Sequence, residues 1–222
     1  MFNHVNLDHN LQELECETLP TGRTYKTPDG NKYPSVTTVL GEQSKAGIIA
    51  WRKRIGEEEA NKISSQAATR GTAVHTLAEN YINNDADWSK GAMPANLFSF
   101  NQIKTILDTN MNNVYAQEVP LYSDQLKVAG RVDLIAEWGG QLAIVDFKTS
   151  RKPKQEKYIQ NYFMQASFYA AAFYERTGIP IKRSVILIAV DGEEPQLFVK
   201  KSYDYLQDFI QVRKAYTQKH GF

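Results

Sequence analysis

Two adjacent glycines, Gly139-Gly140, constrain this chain more than any other feature, because the strand-like runs Lys127–Trp138 and Gln141–Lys148 flank them directly. A two-residue loop that needs left-handed backbone favours glycine, and its twist matches that of an antiparallel hairpin. With that turn, 138 faces 141, 136 faces 143 and 133 faces 146. Asp133 and Asp146 then stand opposite one another, with Cβ atoms roughly 4.5–5.5 Å apart. Two steps further from the turn, Arg131 faces Lys148. Side-chain alternation puts Asp146 and Lys148 on one face, shared with Asp133.

Such a pairing is costly on its own. Facing like charges destabilise a sheet, and Ile135, Leu142 and Ile144 mark this region as covered. Either a cation bridges the two carboxylates or one of them is protonated. A hard divalent ion such as Mg²⁺ takes one or two carboxylates and keeps water and phosphate oxygens as its remaining ligands. With Lys148 to orient a water or offset charge growing in the transition state, this is a minimal kit for metal-assisted phosphodiester hydrolysis. The plain alternative is a pair of strand-end acids balanced by Arg131 and Lys148, and a one-residue slip of register would separate them.

Helical and strand periodicities place the hairpin in an α/β chain. Pro28-Asp29-Gly30 marks a turn between two short strands, and Ser35 is placed to cap a helix carrying Val36, Val39 and Leu40. Further helices are predicted near Ile48–Gly56, Ser64–Ile82 and Leu97–Met111, with a loop over residues 83–95. Then come strands at Val114–Tyr122 and the hairpin, a helix near Lys157–Arg176, strands at Ser184–Val190 and Gln196–Val199, and a terminal helix from Tyr203. The division read from this order is an arm over residues 1–24, a helical wrapping over 25–112 and a core over 113–222. The first twenty residues read as poorly ordered or peripheral.

Composition narrows the function classes. The 222 residues hold one cysteine, Cys16, which removes disulfide scaffolds, cysteine-rich zinc sites and four-cysteine iron–sulfur clusters. No run approaches eighteen apolar residues, so no membrane span is expected. The segment MFNHVNLDHNLQELECE has four acids and no Lys or Arg, the wrong charge for a secretory or mitochondrial leader, and a cytoplasmic setting is expected. The net charge of +1 conceals local bias: residues 148–160 carry five basic groups against one acid.

GRVDLIAEWGGQLAIVDFKTS resembles the core of the PD-(D/E)XK nuclease superfamily, with Asp133 and then Asp146-Phe147-Lys148 as its D-x-K element. Gln165-Ala166-Ser167-Phe168-Tyr169 is similar to the Q-x-x-x-Y motif of the RecB-like branch, and Gly71-Thr72-Ala73-Val74-His75 to its G-x-x-x-H motif. Pro34-Ser35-Val36-Thr37-Thr38-Val39-Leu40 is similar to a segment of the mitochondrial genome maintenance exonucleases and related phage exonucleases. The resemblance spans roughly residues 33–200, with the motifs in the family's order.

The resemblance implies an α/β fold with a restriction-endonuclease-like core, a mixed central sheet flanked by helices, inside an N-terminal helical wrapping. It implies that His75, Asp133, Asp146 and the Phe147 carbonyl hold Mg²⁺ or Mn²⁺, with Glu118 a weaker addition from the preceding strand. Glu79, four residues after His75, would accept from the other ring nitrogen. Lys148 would assist the attacking water, and Gln165 and Tyr169 would position substrate. Histidine packed in a core and a tyrosine stripe packed on a sheet are the ordinary alternatives for these residues. Arg151, Lys152 and Lys154 are weaker candidates for a phosphate-binding lip, and Trp51, Tyr158 and Tyr162 for base stacking.

The resulting expectation is a metal-dependent DNA exonuclease of replication, recombination or repair, preferring single-stranded ends, in a bacterial or phage-infected cell, without an iron–sulfur cluster. A catalytically inactive nucleic-acid-binding module and a structure-specific endonuclease using the same site remain the alternatives.

Overall fold

A computed structural model describes residues 1–7, 9 and 11–221. Among the described residues, nine strands and six α-helices follow in order: β1 (Asn3–His4), β2 (Glu15–Leu19), β3 (Gly22–Lys26), β4 (Lys32–Pro34), α1 (Val36–Gly41), α2 (Lys45–Ile55), α3 (Glu57–Ile82) and α4 (Pro94–Asn110). Then come β5 (Met111–Ser123), β6 (Val128–Trp138), β7 (Gln141–Ser150), α5 (Gln160–Thr177), β8 (Arg183–Val190), β9 (Gln196–Lys201) and α6 (Leu206–His220). Among the described residues, no helix is long and apolar enough to cross a membrane.

Six strands make one mixed sheet in the order β1-β5-β6-β7-β8-β9. β5, β6 and β7 are successively antiparallel, and β8 runs parallel to β7 after the α5 crossover. The chain is therefore an α/β protein with a mixed central sheet flanked by helices. Strand alternation supplies both faces. Ile186 and Ile188 of β8 pack with α1, α5 and α6, whereas Val185 and Leu187 pack with α3 and α4. β2, β3 and β4 form a separate antiparallel sheet, seated on Ala129 of β6 through Leu14, Tyr25 and Tyr33.

The helix boundaries have local causes. Ser35 caps α1, its hydroxyl accepting from the Thr38 N–H at 3.0 Å. Gly56, at φ 87°, separates α2 from α3, and Glu57, Glu58 and Glu59 then favour an earlier start for α3 than the predicted Ser64 by meeting its positive N-terminal end. The predicted start of α5 near Lys157 is instead a 3₁₀ turn over Glu156–Tyr158. The N-terminal residues, expected at the periphery, include β1, which pairs in parallel with β5 at Asn113 and Val114.

Gly139 and Gly140 both have positive φ, and the hairpin runs in the expected register from Trp138↔Gln141 to Leu134↔Val145. There the β6–β7 pairing ends. Arg131 is not opposite Lys148: it pairs with Pro120 of β5, while Lys148 pairs with Ile188 of β8. The cause lies at Asp133, whose carboxylate accepts from the Phe147 N–H at 2.8 Å, where a continuing ladder would use a backbone carbonyl. A second irregularity meets it from the other side. Between Gln117↔Leu134 and Val119↔Val132 the β5 residue is Glu118, at φ 49°. Across this point β6 changes face: Leu134 and Ala136 pack toward α3 and α4, but Val132 packs toward α5.

Candidate metal and nuclease site

The site lies where β6 parts from β7, and it draws on both helical layers. From one side, α3 supplies His75. Its Nε2 is 2.8 Å from the Phe147 carbonyl oxygen, its Nδ1 is 3.6 Å from Asp133 Oδ2, and its ring meets Phe147 edge-on. Nε2 is thus engaged by β7, Nδ1 is turned toward Asp133 beyond hydrogen-bond distance, and neither is bonded to Glu79. Gly71 is not needed for this approach, since a Cβ there would make only an ordinary contact with Thr149 at 3.9 Å.

Glu118 joins His75 and Asp133. One ligand atom from each of the three falls within 4.8 Å of the others. Burial pushes the Glu118 carboxyl up to about 7, and the negative charge of Asp133 adds to the effect, with His75 opposing it. The donor set, one imidazole nitrogen and two carboxylates, suits a first-row or alkaline-earth divalent ion. A cation there would also relieve the crowding that keeps Glu118 a weak acid. The residues therefore fit a divalent metal.

Asp146 lies outside that trio and faces the other layer. Its carboxylate is fully buried, 2.5 Å from Lys148 Nζ, and its Oδ1 accepts from Gln165 Nε2 at 3.2 Å. Burial pushes the Asp146 carboxyl up, and Lys148 pulls it back. Burial would lower the Lys148 ammonium, but Asp146 and then Asp133 outweigh it and hold the proton on. Lys148 Nζ also lies 5.2 Å from the Tyr162 ring centroid. The two aspartates therefore take different partners, Asp133 with His75 and Glu118, Asp146 with Lys148 and Gln165, while the charge of Asp133 still raises the Asp146 carboxyl.

Tyr169 is buried, and its hydroxyl donates to the Arg131 carbonyl at 2.7 Å. It approaches over Gly130, where a Cβ would lie 2.9 Å from the tyrosine oxygen and 2.9 Å from Val36 Cγ1. Tyr169 thus fixes β6 from behind, two residues before Asp133, and is a positioning residue in this geometry. Arg131 carries a feature that hairpin register concealed. Its guanidinium donates to the Glu118 carbonyl and pairs with Glu13, a residue of the N-terminal segment. The Gly130-Arg131 step immediately before Val132-Asp133 was the available signal in the sequence.

The weaker candidates are more dispersed. Arg151, Lys152 and Lys154 are exposed after β7, and the Lys154 backbone is pinned to the Gln196 side chain in both directions. Tyr158 is 71% exposed beneath the Lys157 ammonium, and Trp51 is half-buried on α2. Arg52, beside Trp51, is paired with Glu57.

Comparison with known proteins gives a consistent picture. A model of the PD-(D/E)XK nuclease superfamily matches residues 98–219, more than half of the chain, a span that holds Glu118, Asp133, Asp146, Lys148, Gln165 and Tyr169 but not His75. Mitochondrial genome maintenance exonuclease 1 from Homo sapiens is 27% identical over 173 residues, covering 72% of this chain and 49% of that protein. The Mus musculus protein of the same name is 28% identical over 132 residues, 56% of this chain and 39% of that protein. The chain thus spans about half the length, or less, of these curated relatives. A solved structure from Eubacterium rectale, described as an exonuclease candidate, aligns with a TM-score of 0.48 at 16% identity, over 69% of this chain and 65% of that one.

Proposed function

The chain belongs to the PD-(D/E)XK nuclease superfamily, and from that premise we propose that it is a Mg²⁺- or Mn²⁺-dependent deoxyribonuclease, an exonuclease acting on single-stranded DNA ends in replication, recombination or repair. The observation that carries this reading is the convergence of His75, Glu118 and Asp133 within 4.8 Å, beside Lys148 paired with the buried Asp146. The curated relatives, named as exonucleases, favour hydrolysis from an end.

His75, Glu118 and Asp133 would hold the ion, with Asp146 and the Phe147 carbonyl as further oxygen donors. A bound divalent ion supplies charge at a phosphoryl oxygen and makes water a stronger acid. The protein's own groups do the rest. Lys148, kept protonated by Asp146 and Asp133, is suited to offset charge that builds on the phosphoryl oxygens rather than to abstract a proton. Gln165 fixes the Asp146 carboxylate, and so the position of Lys148. Tyr169 fixes the backbone that leads into Asp133. Arg151, Lys152 and Lys154 would meet the strand's phosphates as it leaves the site, with Tyr158, Tyr162 and Trp51 as stacking surfaces. In this reading, residues 25–112 wrap the 113–222 core so that one strand is admitted, residues 1–24 form an arm, and the enzyme works in the cytoplasm of a bacterial or phage-infected cell.

The test is digestion of 5′- and 3′-labelled linear single strands, duplexes and circular single strands, with Mg²⁺, Mn²⁺ or EDTA. Linear single strands should shorten from one end only when the ion is present, and circles should survive. Cleavage of circles would make the protein an endonuclease using the same site. Binding without cleavage at every ion would make it a non-catalytic binding module.

A further inference from the structure

Arg131 sits on β6 two residues before Asp133, and its side chain is 34% exposed although Gly130 and Val132 beside it are buried. Its guanidinium is divided between two acceptors. Nη1 donates to the carbonyl of Glu118, the residue that sends its carboxylate into the His75–Asp133 cluster. The fork of Nη1 and Nη2 closes on both oxygens of Glu13, at 3.1 and 2.6 Å. Glu13 belongs to none of the core elements. Its side chain is 71% exposed, and its segment is held by the neighbouring Leu14, buried against Tyr25, Tyr33 and Ala129.

A planar fork that meets two carboxylate oxygens meets two phosphodiester oxygens with the same geometry. Exposed pairs are worth up to about 1 kcal/mol, a bidentate one lying at the upper end, so a phosphodiester of matching geometry can exchange for the carboxylate. Lys148, a second cation at the site, is positioned by the buried Asp146 toward the reacting phosphoryl group rather than toward the neighbouring phosphodiester. Tyr169 holds the Arg131 backbone through its carbonyl, and the Glu118 carbonyl holds the guanidinium through Nη1, so the residue is fixed at both ends. We propose that Arg131 is the anchor for a substrate phosphodiester next to the metal-binding residues, and that the Glu13 carboxylate occupies its fork until a nucleic-acid phosphate displaces it. This rests on the nuclease reading above and adds to it a specific phosphate contact and an internal competitor.

The test is the binding of a fluorescein-labelled single-stranded oligonucleotide in EDTA, by anisotropy, so that neither cleavage nor metal affinity enters. Glu13→Gln should tighten binding about two- to fivefold, the scale of one freed exposed pair. Glu17→Gln, which removes another exposed acid, facing Lys32, controls for general charge and should change binding less. Arg131→Gln should weaken binding about tenfold and lower the salt slope by about one. In the Arg131→Gln background the gain from Glu13→Gln should vanish. The anchor is overturned if Glu13→Gln binds no tighter than Glu17→Gln, or if its gain persists without Arg131. Should wild type neither bind nor cleave nucleic acid, the nuclease reading falls as well. Binding and cleavage by wild type with an inert Glu13→Gln would remove the anchor alone.

Discussion

Glu118 stands in the middle of a long strand with φ 49°, a backbone conformation that costs a non-glycine residue roughly 1–3 kcal/mol and persists where the surroundings enforce it. The enforcing contacts are its carbonyl bond from Arg131 and the opening of the ladder at Asp133. Exchanging Glu118 for glycine should therefore relieve strain while removing a metal ligand. Glu118→Gly is expected to raise the metal-free melting temperature, by an amount on the order of 1 kcal/mol in stability, and to weaken Mn²⁺ binding measured by calorimetry. A stable variant with undiminished Mn²⁺ affinity would remove Glu118 from the ligand set. Its carboxyl, raised from 4.5 to about 7, also dictates a pH dependence. Between those values the folded protein holds a proton that the unfolded chain has released, so stability falls as pH rises through this window. In EDTA the melting temperature should drop from about pH 5 to about pH 8 more in wild type than in Glu118→Gln, and Mn²⁺ should diminish the difference. Glu118 was legible as a candidate acid on the strand before the hairpin, but nothing local signals its backbone: no glycine marks the left-handed position, and the conformation is imposed by tertiary contacts.

The hairpin of β6 and β7 shows where pattern reading succeeds and where it stops. The glycine pair determines register for the five pairs nearest the turn, and alternation assigns Ile135 and Ile144 to one face and Leu134 and Val145 to the other. Extrapolation past Val145 fails because a side chain, Asp133, replaces a backbone partner of Phe147. The division of Asp133 and Asp146 between two clusters follows from that opening and was not legible from spacing. The α5 motif was legible as a helical stripe of Tyr162, Gln165 and Tyr169, but its contacts were not: Gln165 reaches Asp146, while Tyr169 reaches the backbone of β6. The contact between α5 and β6 depends on Gly130, where any Cβ would press on both the Tyr169 hydroxyl and Val36. Gly130→Ala should destabilise the protein by about 1–3 kcal/mol in urea unfolding, with the loss reduced in a Tyr169→Phe background. Additive losses in the double variant would show that α5 does not register against β6 at this point.

At the scale of the whole molecule, one sheet separates two helical layers, and each layer sends a polar side chain to the same opening between strands. α3 delivers His75 from one side, and α5 delivers Gln165 from the other. Both layers are needed, so the residues before the hairpin are as much part of the site as those after it. The near-neutral charge of the chain is compatible with a polyanionic substrate. Its acids cluster where a cation would sit, and exposed basic groups follow β7. On the proposed reading, the cluster of His75, Glu118 and Asp133 holds the ion that a nuclease reaction needs. The most direct measurement is the rate at which an end-labelled linear single strand is shortened in Mn²⁺ by wild type and by Asp133→Asn, with both proteins shown to be folded by thermal melting. Ion-dependent shortening by wild type, reduced at least about a thousandfold in Asp133→Asn, is the predicted result. Equal rates in the two proteins, or a wild-type rate unchanged by EDTA, would contradict it.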